Sequence, residues 1–92
     1  MFYVYILTNH DRNILYTGVT NNLQRRVREH EKQRGIKKTF TGSYYCYKLI
    51  YYETFTSILE AIKREKEVKK LSHANKLALI KSRNPYLHFY VV

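Results

Sequence analysis

The chain has 92 residues, room for one domain with a modest core and too few for a catalytic domain plus a separate targeting domain. Seventeen Lys and Arg against seven Asp and Glu leave a formal charge of +10, spread along the chain, which favours a polyanionic partner, nucleic acid first, although ribosome-associated and merely soluble basic proteins share it. A single cysteine, Cys46, excludes an internal disulfide and a cysteine-clustered zinc site; short apolar runs and the lack of signal-peptide features speak against a membrane and for the cytoplasm.

Phe2 to Leu7 is rich in β-branched and aromatic residues and predicts a strand, with Val4 and Ile6 on one face and Tyr3 and Tyr5 on the other. Asn9 to Asn13 is turn chemistry, and Ile14 to Val19 predicts a second strand, so an antiparallel hairpin is expected, ended by Gly18. Thr20, Asn21 and Asn22 are N-cap types, and Asn21 with Gln24 has capping-box spacing, so a helix over 22–34 follows. Its apolar stripe of Leu23 and Val27 continues through Arg26 and His30. The basic segment from Gly35 to Gly42 reads as a mobile loop. Tyr44 to Tyr52 predicts a third strand, Tyr45, Tyr47, Leu49 and Tyr51 alternating with Cys46, Lys48, Ile50 and Tyr52. Ser57 and Glu60 form a second capping box and open a helix to about Lys70. Ser72 caps a last helix through Leu77, Ala78 and Ile80, which Asn84-Pro85 stops, and the tail from Tyr86 to Val92 is apolar enough to pack back. The expected fold is a single α+β domain in a sandwich-like arrangement: a three-stranded antiparallel sheet flanked by helices, order ββαβαα, with the motif-bearing core over about 1–83.

Glu65 is the most informative position. The stripe Ile58, Ala61, Ile62 and Val68 is completed by Glu65, and a carboxylate among apolar neighbours costs several kcal/mol unless a cation or strong donors meet it. Either it ligates a metal, since Mg²⁺ accepts one or two carboxylates plus water and phosphate, or it forms a structural ion pair with Lys or Arg, or the helix is rotated so that it is solvated. Arg26 with His30 one turn later suits a phosphate clamp, guanidinium donating two parallel hydrogen bonds; the plainer reading of Gln24-Arg25-Arg26-Val27-Arg28 is a solvated basic face. Tyr5 and Tyr16 lie on adjacent strands next to Gly18, whose missing side chain would let a substrate approach, and are otherwise packing residues. A tyrosine that takes a proton from water needs its pKa lowered or its proton relayed, which Arg26, His30 or a metal would provide.

Taken together, Tyr3-Val4-Tyr5, Tyr16-Thr17-Gly18 after a short hairpin, Arg26 ten residues past Tyr16, His30 four further, and a helix with Ala61 and Glu65 resemble the GIY-YIG nuclease family, in particular its small stand-alone bacterial members. The resemblance runs from Phe2 to Asn84-Pro85. It implies that Tyr5 and Tyr16 are the tyrosines of the two motifs, Arg26 the phosphate-binding arginine, His30 the histidine some members place one turn later, and Glu65 the glutamate that holds Mg²⁺ or Mn²⁺. Asn84 aligns with an asparagine near the end of the domain in some members, with a plain Asn-Pro turn as the alternative. Tyr3 stands in place of the first motif's glycine and Thr17 in place of the second motif's isoleucine. Val19 follows Gly18 where several relatives carry lysine or another polar residue, which leaves Arg26, His30 or the metal to tune the tyrosine.

The activity so implied is metal-dependent hydrolysis of phosphodiester bonds in DNA, with Tyr5 as base and Arg25, Arg28, Lys37, Lys38, Phe40 and Asn84 against the nucleic acid. Many catalytic members attach a separate DNA-binding domain, so a protein partner supplying specificity is also expected. Two alternatives stand beside it: a non-catalytic nucleic-acid-binding module of the same fold, and a basic structural protein in which Glu65 pairs with Lys or Arg and no tyrosine hydroxyl lies near.

Overall fold

A computed structural model describes all 92 residues. Strands β1 (Phe2–Thr8), β2 (Leu15–Thr20) and β3 (Lys48–Phe55) form one antiparallel sheet in the order β2-β1-β3. Helices α1 (Leu23–Lys32), α3 (Ile58–Lys69) and α4 (His73–Lys81) flank it, and a one-turn helix α2 (Phe40–Ser43) stands between α1 and β3. The expected order ββαβαα is thus present with one short helix inserted, where a mobile loop was expected.

The period-two strand separates two cores. Tyr5 and Leu7 of β1 join Leu23, Cys46 and Leu49 on the α1 face, while Ile6 joins Ile50, Tyr51, Val68 and Ile80 on the α3 and α4 face. These clusters give the sheet buried residues on both sides. Each long helix opens on a polar side chain that accepts from a backbone amide three residues on: Asn22 from Arg25, Ser57 from Glu60 and Ser72 from Asn75. Ser57 and Ser72 sit where the sequence predicts. The first cap is Asn22 rather than Asn21.

The third strand departs most from expectation. It starts at Lys48 rather than Tyr44 and runs three residues further, to Phe55. Tyr45 has φ 55°, which no strand residue adopts, so the chain turns there before pairing begins. The expected alternation then breaks inside the strand. Ile6 pairs with Tyr51 but Leu7 with Leu49, leaving Ile50 as the extra residue of a bulge. Ile50 and Tyr51, neighbours in sequence, both join the same core as a result.

β3 lies at a sheet edge, and the C-terminal segment covers it. Tyr90 N–H donates to Leu49 O at 2.8 Å and Asn84 Nδ2 to Ile50 O at 2.9 Å. The Asn84 amide also donates to His88 O at 2.8 Å, and its oxygen accepts from His88 N–H at 3.0 Å. The tail therefore packs back as its composition suggests. Asn84 is 4% exposed and spends both its amide hydrogens on the chain itself, the geometry of the Asn-Pro turn alternative.

Candidate active site

The hairpin register sets the first two residues. Tyr5 pairs with Gly18 and Leu7 with Tyr16, so both tyrosines project from the same sheet face. Gly18 makes room for protein, not for substrate. A Cβ there would lie 2.5 Å from Tyr5 Cζ, so the Tyr5 ring occupies the space its neighbour vacates. Gly18 also does not end β2, which continues to Thr20.

α1 supplies the next two. Its Asn22 cap starts the helix so that Arg26 and His30, one turn apart, face the sheet beside Leu23. His30 Nε2 lies 3.1 Å from the Tyr5 hydroxyl, and Arg26 Nε donates to the same oxygen at 3.4 Å. His30, 3% exposed, packs against the rings of both tyrosines, with centroids 6.1 Å from Tyr5 and 5.7 Å from Tyr16. Its other nitrogen, Nδ1, is 3.0 Å from Thr41 Oγ1 of α2. The position of Thr41 could not be read from sequence, because α2 itself was not.

Burial raises the Tyr5 pKa above its usual 10, outweighing the opposing hydrogen bond and charge of Arg26. The same two influences act together on His30: burial and the Arg26 cation bring it from 6.5 down to about 4. Near neutral pH the centre holds a protonated phenol, a neutral imidazole and a guanidinium. Arg26 also meets Glu29 at 3.4 Å, a half-exposed i,i+3 pair of at most about 1 kcal/mol that leaves Nη2 free for an anion.

α3 lies across β1 and β2 and carries Glu65, whose side chain is 15% exposed. Its carboxylate is near enough to push the Tyr5 pKa upward, as is Tyr16. Lys69 Nζ stands 3.1 Å from Glu65 Oε2. The ion pair of the structural alternative is therefore present. No cluster of three or more His, Cys, Asp and Glu could ligate a metal. One carboxylate completed by water and phosphate oxygens is nonetheless a donor set that Mg²⁺ and Mn²⁺ accept, so the residues fit such an ion.

The expected nucleic-acid contacts divide. Arg25, Lys37 and Lys38 are exposed. Arg28 is exposed too, but two helical residues turn it about 200° from Arg26. It lines a cavity between α1 and the C-terminal segment, with Gln24, Glu31, Tyr47 and Phe89.

Comparison with known proteins agrees with this geometry. The family model described as the GIY-YIG catalytic domain matches residues 1–78. The UPF0213 protein CPE1444 of Clostridium perfringens is 44% identical over 84 residues, covering 91% of this chain and 87% of that protein. A UPF0213 protein of Syntrophus aciditrophicus is 43% identical over 83 residues, 90% and 92% of the two chains. The solution NMR structure of the UPF0213 protein BH0048 from Bacillus halodurans superposes with a TM-score of 0.58 at 34% identity, over 94% of this chain and 89% of that one. With Tyr5, Tyr16, Arg26 and His30 gathered on one sheet face, the chain belongs to the GIY-YIG catalytic domain family, among its small UPF0213 members.

Proposed function

We propose that this protein is a divalent-metal-dependent endonuclease that hydrolyses phosphodiester bonds in DNA. The observation that carries the reading is the Tyr5 oxygen, held at once by His30 Nε2 at 3.1 Å and Arg26 Nε at 3.4 Å, with the Glu65 carboxylate near enough to perturb it. Plain packing does not call for an arginine and a histidine on one phenol. A proton path does.

In this mechanism His30 Nδ1–H donates to Thr41 Oγ1, which leaves the Nε2 lone pair for the Tyr5 proton. As the attacking water gives its proton to the Tyr5 oxygen, the phenol passes its own to His30, so free phenolate, disfavoured by burial, never accumulates. Arg26 steadies the partial negative charge that crosses that oxygen during the transfer and uses its free Nη2 on the phosphate. Tyr16 packs His30 into place. Glu65 would hold Mg²⁺ or Mn²⁺, which when bound neutralises charge developing on the departing 3′ oxygen.

The test offers nicked, flapped, branched and single-stranded DNA with Mg²⁺, Mn²⁺ or chelator, alongside Glu65→Ala. Metal-dependent cutting that falls roughly a hundredfold or more in the variant is expected, the scale of several kcal/mol of charge stabilisation. Binding with no cutting under any metal would instead favour a non-catalytic nucleic-acid-binding module. One observation speaks for that second reading: Lys69 already balances Glu65 without a metal.

A further inference from the structure

The Tyr16 ring packs edge-on against His30 on its inner side, at 5.7 Å and 61°. On its outer side it stacks with Phe40, at 6.1 Å and 29°, and Phe40 in turn meets Tyr44 at 4.8 Å and 48°. A continuous run of aromatic rings therefore leads from the buried centre to water. His30 is 3% exposed, Phe40 52% and Tyr44 50%.

The backbone beneath the two outer rings is tightly fixed. Thr39 caps α2 by accepting from Gly42 N–H at 3.0 Å, Gly35 N–H donates to Gly42 O at 2.8 Å, and Cys46 N–H to Thr41 O at 2.7 Å. A Cβ on Gly42 would lie 2.5 Å from both Gln33 O and Ile36 O, so the turn closes only around glycine. The segment thus holds two large aromatics outward on a defined backbone when burying them would stabilise so small a core. Exposed aromatic surface of this kind marks a recognition site. Lys37 and Lys38, both exposed, stand three and two residues before Phe40 and favour a polyanion over an apolar protein surface.

We infer that Phe40 and Tyr44 are a stacking platform for an unpaired nucleobase, which makes the substrate class a nucleic acid with a single-stranded or extruded nucleotide beside the scissile phosphate. The inference rests on the nuclease reading for the phosphate's position, and goes beyond it in naming the structure the substrate must have. Every base has a π-face, so the platform selects for unpairing rather than for sequence. A base paired within a duplex has both faces covered by its neighbours. It cannot lie on Phe40.

The chain has no tryptophan, so Phe40→Trp introduces a lone reporter that keeps an aromatic face. Binding is measured in chelator, where no cutting is needed. The expected result is emission quenched by single-stranded and flapped oligonucleotides and left bright by a blunt duplex. Phe40→Leu and Tyr44→Leu keep the apolar bulk without the ring. Each should lower the ratio of unpaired to paired affinity by about tenfold, the scale of one base stack. Equal quenching by blunt duplex, or a ratio unmoved in both leucine variants, overturns the platform. Quenching without cutting when metal is restored sinks the nuclease reading and keeps the platform. Cutting of blunt duplex that the leucine variants match does the reverse.

Discussion

The centre of this protein is one oxygen atom with two nitrogens aimed at it, and its protonation follows from burial more than from charge. The Tyr5 phenol stays protonated because desolvation exceeds the pull of Arg26, while desolvation and the same cation both keep His30 neutral down to about pH 4. A buried neutral histidine has a consequence for stability. Between about pH 6.5 and 4 the unfolded chain binds a proton on residue 30 that the native chain refuses. The unfolded state therefore gains as pH falls through that window, native stability drops, and the loss levels off below about 4, for a total on the order of 3 kcal/mol from this group. Glu53, whose burial alone would raise its pKa, is held low by Arg64 at 2.9 Å and by Tyr51, and adds its own loss at more acid pH. Denaturant unfolding of the wild type and of His30→Gln at pH 7, 5.5 and 4.5 separates the two, because Glu53 is common to both. The variant is expected to lack the histidine portion; an identical decline in both proteins would show that residue 30 titrates normally.

At the scale of elements, the edge of β3 shows how a residue chosen as a ligand by sequence can be a fastener. Asn84→Ala removes three hydrogen bonds, among them the one to the buried Ile50 carbonyl. A loss of about 1–3 kcal/mol is expected, a fall in Tm of roughly 4–8 °C per kcal/mol for a domain of this size. Amide exchange should quicken at His88 and Tyr90 ahead of the rest, and unchanged protection there would contradict the clasp. What sequence displayed and what it hid divide along the same line. Strand β1, the caps at Ser57 and Ser72, and the Arg26–His30 pair were visible because each depends on a local period or a local hydrogen bond. Glu65 was visible because it interrupts an apolar stripe, although Ile58 on that stripe proves 42% exposed. The start of β3 was not, since alternating tyrosines look like strand whether or not a partner strand is there to pair, and the turn at Tyr45 depends on α2 docking through Cys46 N–H to Thr41 O. The bulge at Ile50 was hidden for the same reason: it is a property of two strands, whereas the sequence lists one. Arg28 points elsewhere than Arg26 because 100° per residue distributes the basic run around α1.

For the whole molecule the governing quantity is the excess of ten positive charges on a body with a radius of gyration of 12.4 Å. Both faces of its sheet are occupied by packing, and no element offers itself to a groove for base reading, so affinity must come from the phosphate backbone and from the exposed rings at Phe40 and Tyr44. Binding of that kind weakens steeply with salt, because each phosphate neutralised releases part of a condensed counterion. On the proposed reading a single strand passing the tyrosine centre contacts part of that charge, and the remainder steers encounter without adding contacts. Four or five such contacts on a single strand give a slope of log K against log salt of about −3, well short of what the full charge of +10 would allow. Replacing Lys37 and Lys38 together by alanine should flatten that slope by about 1.4, at roughly 0.7 for each phosphate lost. Arg28→Ala, turned about 200° from Arg26 on α1, should shift the whole line downward slightly and leave its slope as it was. Titrations of a fluorescent single strand across a range of salt concentrations make the comparison directly. A slope that changes with Arg28 and not with the two lysines would move the nucleic acid to the opposite face of the helix, away from Tyr5.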